Sequence, residues 1–163
     1  MGANTNRGRG GLACQRCGCR NGTVGERGRI KLIALLCERC WNITSNELAL
    51  QEGATDSPGY DAEGNALVAG EPPRCPACRT PIVPCPTNYD RWVHLATKDL
   101  PAERVPRRFR WRLVDVQGHG RVAVRIRGVE PFPTAFVRPA HRAVCLGPDA
   151  EPDVARESRL DQM

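Results

Sequence analysis

Two Cys-x-x-Cys pairs, Cys14/Cys17 and Cys37/Cys40, lie 19 residues apart and constrain this chain more than any other feature. A CxxC turn brings two thiolates onto one ion. Two such turns at the ends of a hairpin complete a tetrahedron with Zn–S bonds near ~2.3 Å. Four protein ligands leave no open coordination position, so this spacing predicts a structural zinc; an iron ion held by four cysteines would share the geometry. The chain needs such support. It has 163 residues with 16 Gly, 14 Pro and only 5% aromatics, which argues against one large core. Modules below roughly 70–80 residues rarely stand on apolar burial alone, and metal binding supplies roughly 10–16 kcal/mol of folding free energy in comparable peptides.

No basic-apolar-small leader pattern opens the sequence, and no apolar run approaches the ~18 residues of a membrane span. A cytoplasmic location with reduced cysteines is therefore expected, and closely paired reduced cysteines read as metal ligands.

The composition divides the chain into five stretches. Residues 1–11 read as a disordered basic arm and residues 12–52 as a zinc ribbon with a short C-terminal helix. In the ribbon, Arg29–Leu36 is strand-like. Thr44-Ser45-Asn46-Glu47 matches a capping box, predicting a helix from about Ser45 to Glu52 packed back by Trp41, Ile43 and Leu48. Residues 53–73 read as a flexible linker, 74–146 as a second, β-rich zinc module, and 147–163 as a disordered acidic tail. The expected fold class is thus two small zinc-stabilised, mainly β modules joined by a linker. In the second module, Trp111 and Leu113 alternate with Arg110 and Arg112, and Val122, Val124 and Ile126 alternate with Arg121, Arg125 and Arg127. Gln117-Gly118-His119-Gly120 joins the two runs as a hairpin. Period two predicts apolar residues on one face, including Trp111 toward the core, and arginines on the other.

Cys75-Pro76-Ala77-Cys78 supplies half of a second site. The candidate partners are Cys85, His94, His119, His141 and Cys145. His141-x3-Cys145 places both side chains on one side of a helical turn or tight bend, which makes Cys75, Cys78, His141 and Cys145 the preferred set. Cys85 in place of one of the later pair is the rival, and Cys19 reads as a free thiol. Residues 75–146 also resemble a small uncharacterised domain family found in actinobacteria. The resemblance rests on Cys75–Cys78, Trp92-Val93-His94-Leu95, Val105-Pro106, Arg110-Trp111 and the closing His141–Cys145. Arg79 stands where that family commonly has glycine, and the strand around Ala123 lacks its Gly-Ala step. The family has no assigned activity, so the resemblance implies the ligand set and nothing about function.

No HExxH, Walker loop, Rossmann glycine pattern or deaminase His-x-Glu is present, so a non-catalytic protein is expected. Residues 74–146 carry fourteen basic and five acidic side chains. Arg108, Arg110, Arg112, Arg121, Arg125 and Arg127 are candidate contacts for the phosphates of DNA or RNA. A nucleic-acid-binding or transcription-associated regulator is therefore the first functional expectation. A protein–protein adaptor with purely structural zinc sites is the alternative, and no membrane partner is expected.

Overall fold

The computed structural model describes residues 11–59 and 72–147. The expected basic arm up to residue 10, the linker segment 60–71 and the acidic tail from residue 148 lie outside the described residues.

The first cysteine pair leads into a short antiparallel hairpin, β1 (Gly25–Arg27) with β2 (Ala34–Leu36). The second pair opens helix α1, which spans Glu38–Glu52 with Cys37 as its N-cap. The helix thus starts a full turn and more before the capping box at Thr44. That box is otherwise engaged: Arg16 donates to the Thr44 hydroxyl at 2.9 Å and clamps Glu47 through both guanidinium ends. At the other end, Gly53 adopts a left-handed φ of 70° and its amide closes on the Ala49 carbonyl. Cys40, Trp41, Ser45, Ala49 and Glu52 form the buried stripe of α1, whereas Ile43 is exposed.

The remaining strands are β3 (Val83–Pro86), β4 (Trp92–Leu95), β5 (Leu100–Pro101), β6 (Arg110–Val116), β7 (Gly120–Arg125) and β8 (Phe136–Pro139). β3 pairs with β4, and a four-stranded sheet runs β5-β8-β6-β7. Two single bridges join these sheets, Thr87 to Ala123 beside β7 and Leu95 to Ala140 just past β8. Pairing therefore runs around a small ring: β7, β3, β4, β8, β6 and back to β7. Trp111, Tyr89, Phe109, Leu95, Val93 and Val105 are essentially without solvent contact and belong to one apolar cluster.

The arginine pattern does not survive pairing as one face. Residues directly opposite in an antiparallel pair point to the same side. The register sets Trp111 against Arg125, Leu113 against Ala123 and Arg112 against Val124. Each strand alternates as expected, but the apolar set of β6 shares its face with Arg121 and Arg125. The hairpin register, not the pattern within either strand, decides this.

The α1 stripe lies against the ring, and one apolar cluster runs from Cys14, Leu36 and Trp41 to Tyr89, Phe109 and Trp111. Polar contacts fix the docking. The Trp41 indole donates to Asp90 at 3.0 Å, the Tyr89 hydroxyl donates to Glu52 at 2.8 Å, and Arg127 pairs with Glu52. Arg29 pairs with Asp90 at 2.8 Å. The described start of the expected linker runs along β4: the amides and carbonyls of Thr55 and Trp92 bond reciprocally, and the His94 ring bonds to the Pro58 carbonyl at 2.7 Å.

Candidate metal centres

The fold gathers all eight predicted ligands into two clusters. In each, the four candidate ligand atoms lie within 4.8 Å of one another: Cys14, Cys17, Cys37 and Cys40 in the first, and Cys75, Cys78, His141 and Cys145 in the second.

The first cluster is built locally. After Cys17 the backbone turns through Gly18 at φ 74°, so that the Gly18 amide reaches the Cys14 carbonyl at 2.8 Å. The hairpin carries the chain back, with Gln15 bonding Leu35 through both its backbone and its side chain, and delivers Cys37 and Cys40 at the start of α1. The Cys17 and Cys37 sulfurs are 3.8 Å apart. That is the edge of a tetrahedron around an ion with ~2.3 Å bonds to sulfur. Burial pushes the Cys14 thiol up, but the amides of Cys37, Cys17 and Arg16 outweigh it and hold it at about 6. The Cys40 amide is the main cause of the lowered Cys37 value. Burial, reinforced by the neighbouring sulfurs, pushes Cys40 up to about 12. Four sulfurs this close cannot all ionise unless a cation stands among them.

The second cluster joins distant parts of the chain. Its knuckle repeats the first: the Arg79 amide reaches the Cys75 carbonyl at 2.8 Å, with Arg79 itself at φ 62°. A 3-10 turn at His141–Ala143, directly after β8, presents His141 and then Cys145. Cys75 and Cys145 stand 3.9 Å apart, and the His141 Nε2 atom is 3.3 Å from the Cys78 sulfur. Burial raises the Cys78 thiol, yet bonds from the Thr80 hydroxyl and amide bring it down to about 7, while burial drives Cys145 up to about 11. Burial also lowers His141, favouring the neutral ring that binds a metal. Its Nδ1 atom is buried without a hydrogen-bond partner.

The rival candidates lie elsewhere. Cys85 is buried in the ring wall, its sulfur 3.6 Å from the Arg121 carbonyl and its thiol pushed up to about 11 by burial. His94 is held by Pro58, and His119 is exposed in the β6–β7 loop. Cys19 packs at the edge of the first cluster, and its hydrogen bond with Cys17, aided by burial, raises it to about 12. The arginines also divide. Arg110 bonds the Val105 carbonyl and pairs with Glu130, Arg125 is half-buried against backbone carbonyls, and Arg127 pairs with Glu52. Arg108, Arg112 and Arg121 are exposed; Arg108 lies over the Phe109 ring and Arg121 pairs with Asp115. Glu52, which ties the helix to the ring, carries no sequence motif that would mark it.

The donor sets fit a metal on geometry and chemistry alike. Both clusters could hold a metal ion, and both fill four positions from the protein. Among the described residues no helix is long and apolar enough to cross a membrane. No curated protein and no solved structure matches the chain. The first cluster precedes the matched stretch, whereas the second cluster and the strand ring fall within it: residues 58–163 match the model of DUF6083, a family of unknown function, and the chain belongs to that family.

Proposed function

We propose that the protein is a non-catalytic adaptor that binds other proteins, with one structural zinc ion in each cluster. The observation that carries this reading is that four side chains converge in both clusters. Catalytic zinc keeps an open position for water or substrate, and neither cluster offers one. Thiolate-rich tetrahedral sets favour zinc or iron, and metal analysis separates the two. Two colourless zinc ions per chain are expected; a visible absorption band from iron–thiolate bonds would replace zinc by iron.

Surface chemistry supports the adaptor over the nucleic-acid reading. Tracking phosphates calls for a stripe of free cations. The six candidate arginines are split between two faces, and Arg110, Arg125 and Arg127 are engaged within the fold. A gel-shift series with mixed DNA and RNA at low salt tests this directly. No shift is expected. A salt-sensitive shift that Arg112→Glu/Arg121→Glu abolishes would overturn the adaptor in favour of a DNA- or RNA-binding regulator.

A further inference from the structure

A sheet with one buried face ordinarily turns polar residues to the other. The β6–β7 hairpin departs from this. Trp111 and Ala123 belong to the apolar core with Leu113 packed against it, yet the opposite face carries the half-buried Val114 and Val124 beside the buried Val122, followed beyond the strand by Ile126, which also touches the core. Val114, Val124 and Ile126 form the floor of a groove of about 560 Å³. One lip is the loop between β1 and β2, with Ile30 and Leu32; the other is the loop after β7, with Val129 and Phe132. Val129 and Phe132 are 92% and 83% exposed. Concave surfaces lined by apolar side chains with a few polar groups at the rim are the usual form of a binding site.

The first lip is held in an unusual shape. Ile30 and Lys31 both have left-handed φ values, 43° and 45°, a conformation that a β-branched residue rarely adopts. Asn88 from the ring holds them there, accepting from the Arg29 amide at 3.0 Å and donating to the Ile30 carbonyl at 3.3 Å. Backbone outliers held by their surroundings concentrate at ligand clamps. The groove therefore combines parts from both metal-bearing regions.

Its charge selects the occupant. The lining carries Lys31, Arg112, Arg125 and Arg127 against a single acid, Glu130. Glu130 is already neutralised by Arg107 and Arg110. Arg127 pairs with Glu52, which leaves Lys31 and Arg112, both exposed, without an acidic partner among the described residues. The floor is aliphatic and Phe132 is the one aromatic side chain in the lining, so a run of nucleobases has no series of aromatic stacking platforms here. We propose that this groove docks an extended acidic segment of a partner protein, with an aliphatic or aromatic side chain on the floor and carboxylates against Lys31 and Arg112. The proposal rests on the adaptor reading and names its binding surface.

The test is selection of a random 12-residue peptide library on the zinc-loaded full chain, followed by fluorescence polarisation of the enriched peptides. Enrichment of Asp or Glu around one large apolar residue is expected. Arg112→Glu and Phe132→Ala, both solvent-facing and so compatible with folding, should each weaken binding about tenfold. Unchanged zinc content and circular dichroism verify that these variants fold. Enriched peptides whose affinity ignores both variants, or a basic consensus, would overturn the groove assignment while leaving a protein-binding adaptor in place. Failure to enrich any peptide would overturn both. A tenfold gain in peptide affinity on deleting residues 148–163 would make the chain's own acidic tail the occupant, and the partner assignment would fall.

Discussion

The two clusters begin with the same knuckle and are closed in different ways. The first is completed by another knuckle after only 19 intervening residues, at the start of α1. The second waits for His141 and Cys145, beyond all the strands of the ring. One site is therefore a local structure that its own loop can nearly assemble. The other holds together the two ends of a fold that must already be formed. Loop-closure entropy grows with the length enclosed, so an ion in the second site constrains the unfolded chain more. An ion in the first site would tie the hairpin to the start of α1, within a segment that also rests on its docking against the ring.

Removing ligands should give the largest effects and can break this contrast. Cys14→Ser is expected to lower zinc from two ions per chain to one, with loss of much of the α1 helical signal. His141→Ala should also leave one ion, in the local site, while the ring loses its cooperative thermal transition. Zinc measured after dialysis together with far-ultraviolet circular dichroism checks both. If either variant empties both sites, the clusters act as one unit and the local-versus-distant distinction fails.

Glu52→Ala probes the contact between the two regions. It leaves the buried Tyr89 hydroxyl and the Arg127 guanidinium without their acceptor, a loss of about 3 kcal/mol in a denaturant titration. Zinc content should stay at two. A loss below about 0.5 kcal/mol would mean that the two regions contribute to stability separately.

Smaller changes compare the knuckles themselves. Gly18 and Arg79 occupy equivalent left-handed positions, and only glycine adopts that conformation without a steric penalty. Gly18→Ala should cost about 1 kcal/mol, with the strain confined to the backbone because nothing lies near the added methyl. Arg79→Gly should stabilise the second site by a similar amount. Equal signs in a melting comparison would show that the two turns are not equivalent. The smallest effect is expected from Cys19→Ser, which should retain both ions and change stability by no more than about 0.5 kcal/mol.

The pairs that make up the two clusters were legible because CxxC and His-x-x-x-Cys each bring two donors together locally. Which pairs share a cluster is a relation between segments, and for Cys75 and Cys78 it stayed open between the His141–Cys145 pair and Cys85. The β6–β7 hairpin and the inward-facing Trp111 were legible because period two is a property of one strand. What escaped depends on relations between segments. One residue of register placed the apolar run of β6 on the same face as two arginines of β7. β3 was hidden by Pro84 and Pro86, which lack the amide a strand normally donates. The start of α1 was misread because Thr44–Glu47 carries a capping signal, while the actual N-cap is a cysteine also needed as a ligand. The docking of α1 on the ring rests on single polar pairs such as Trp41 with Asp90, which leave no periodic trace.

The closed run of strands has a consequence of its own. β7, which carries Val122 and Val124, meets β6 on one side and the Thr87 bridge beside β3 on the other. A free border of that composition would be a template on which further copies could stack through their backbones. Here the border is covered by a segment that directly follows the second knuckle. If the second cluster holds an ion, as proposed, its loss from Cys75 and Cys78 would do more than loosen one corner: it would free the flank of β7 for self-association. Metal withdrawal should then be followed by aggregation as well as unfolding.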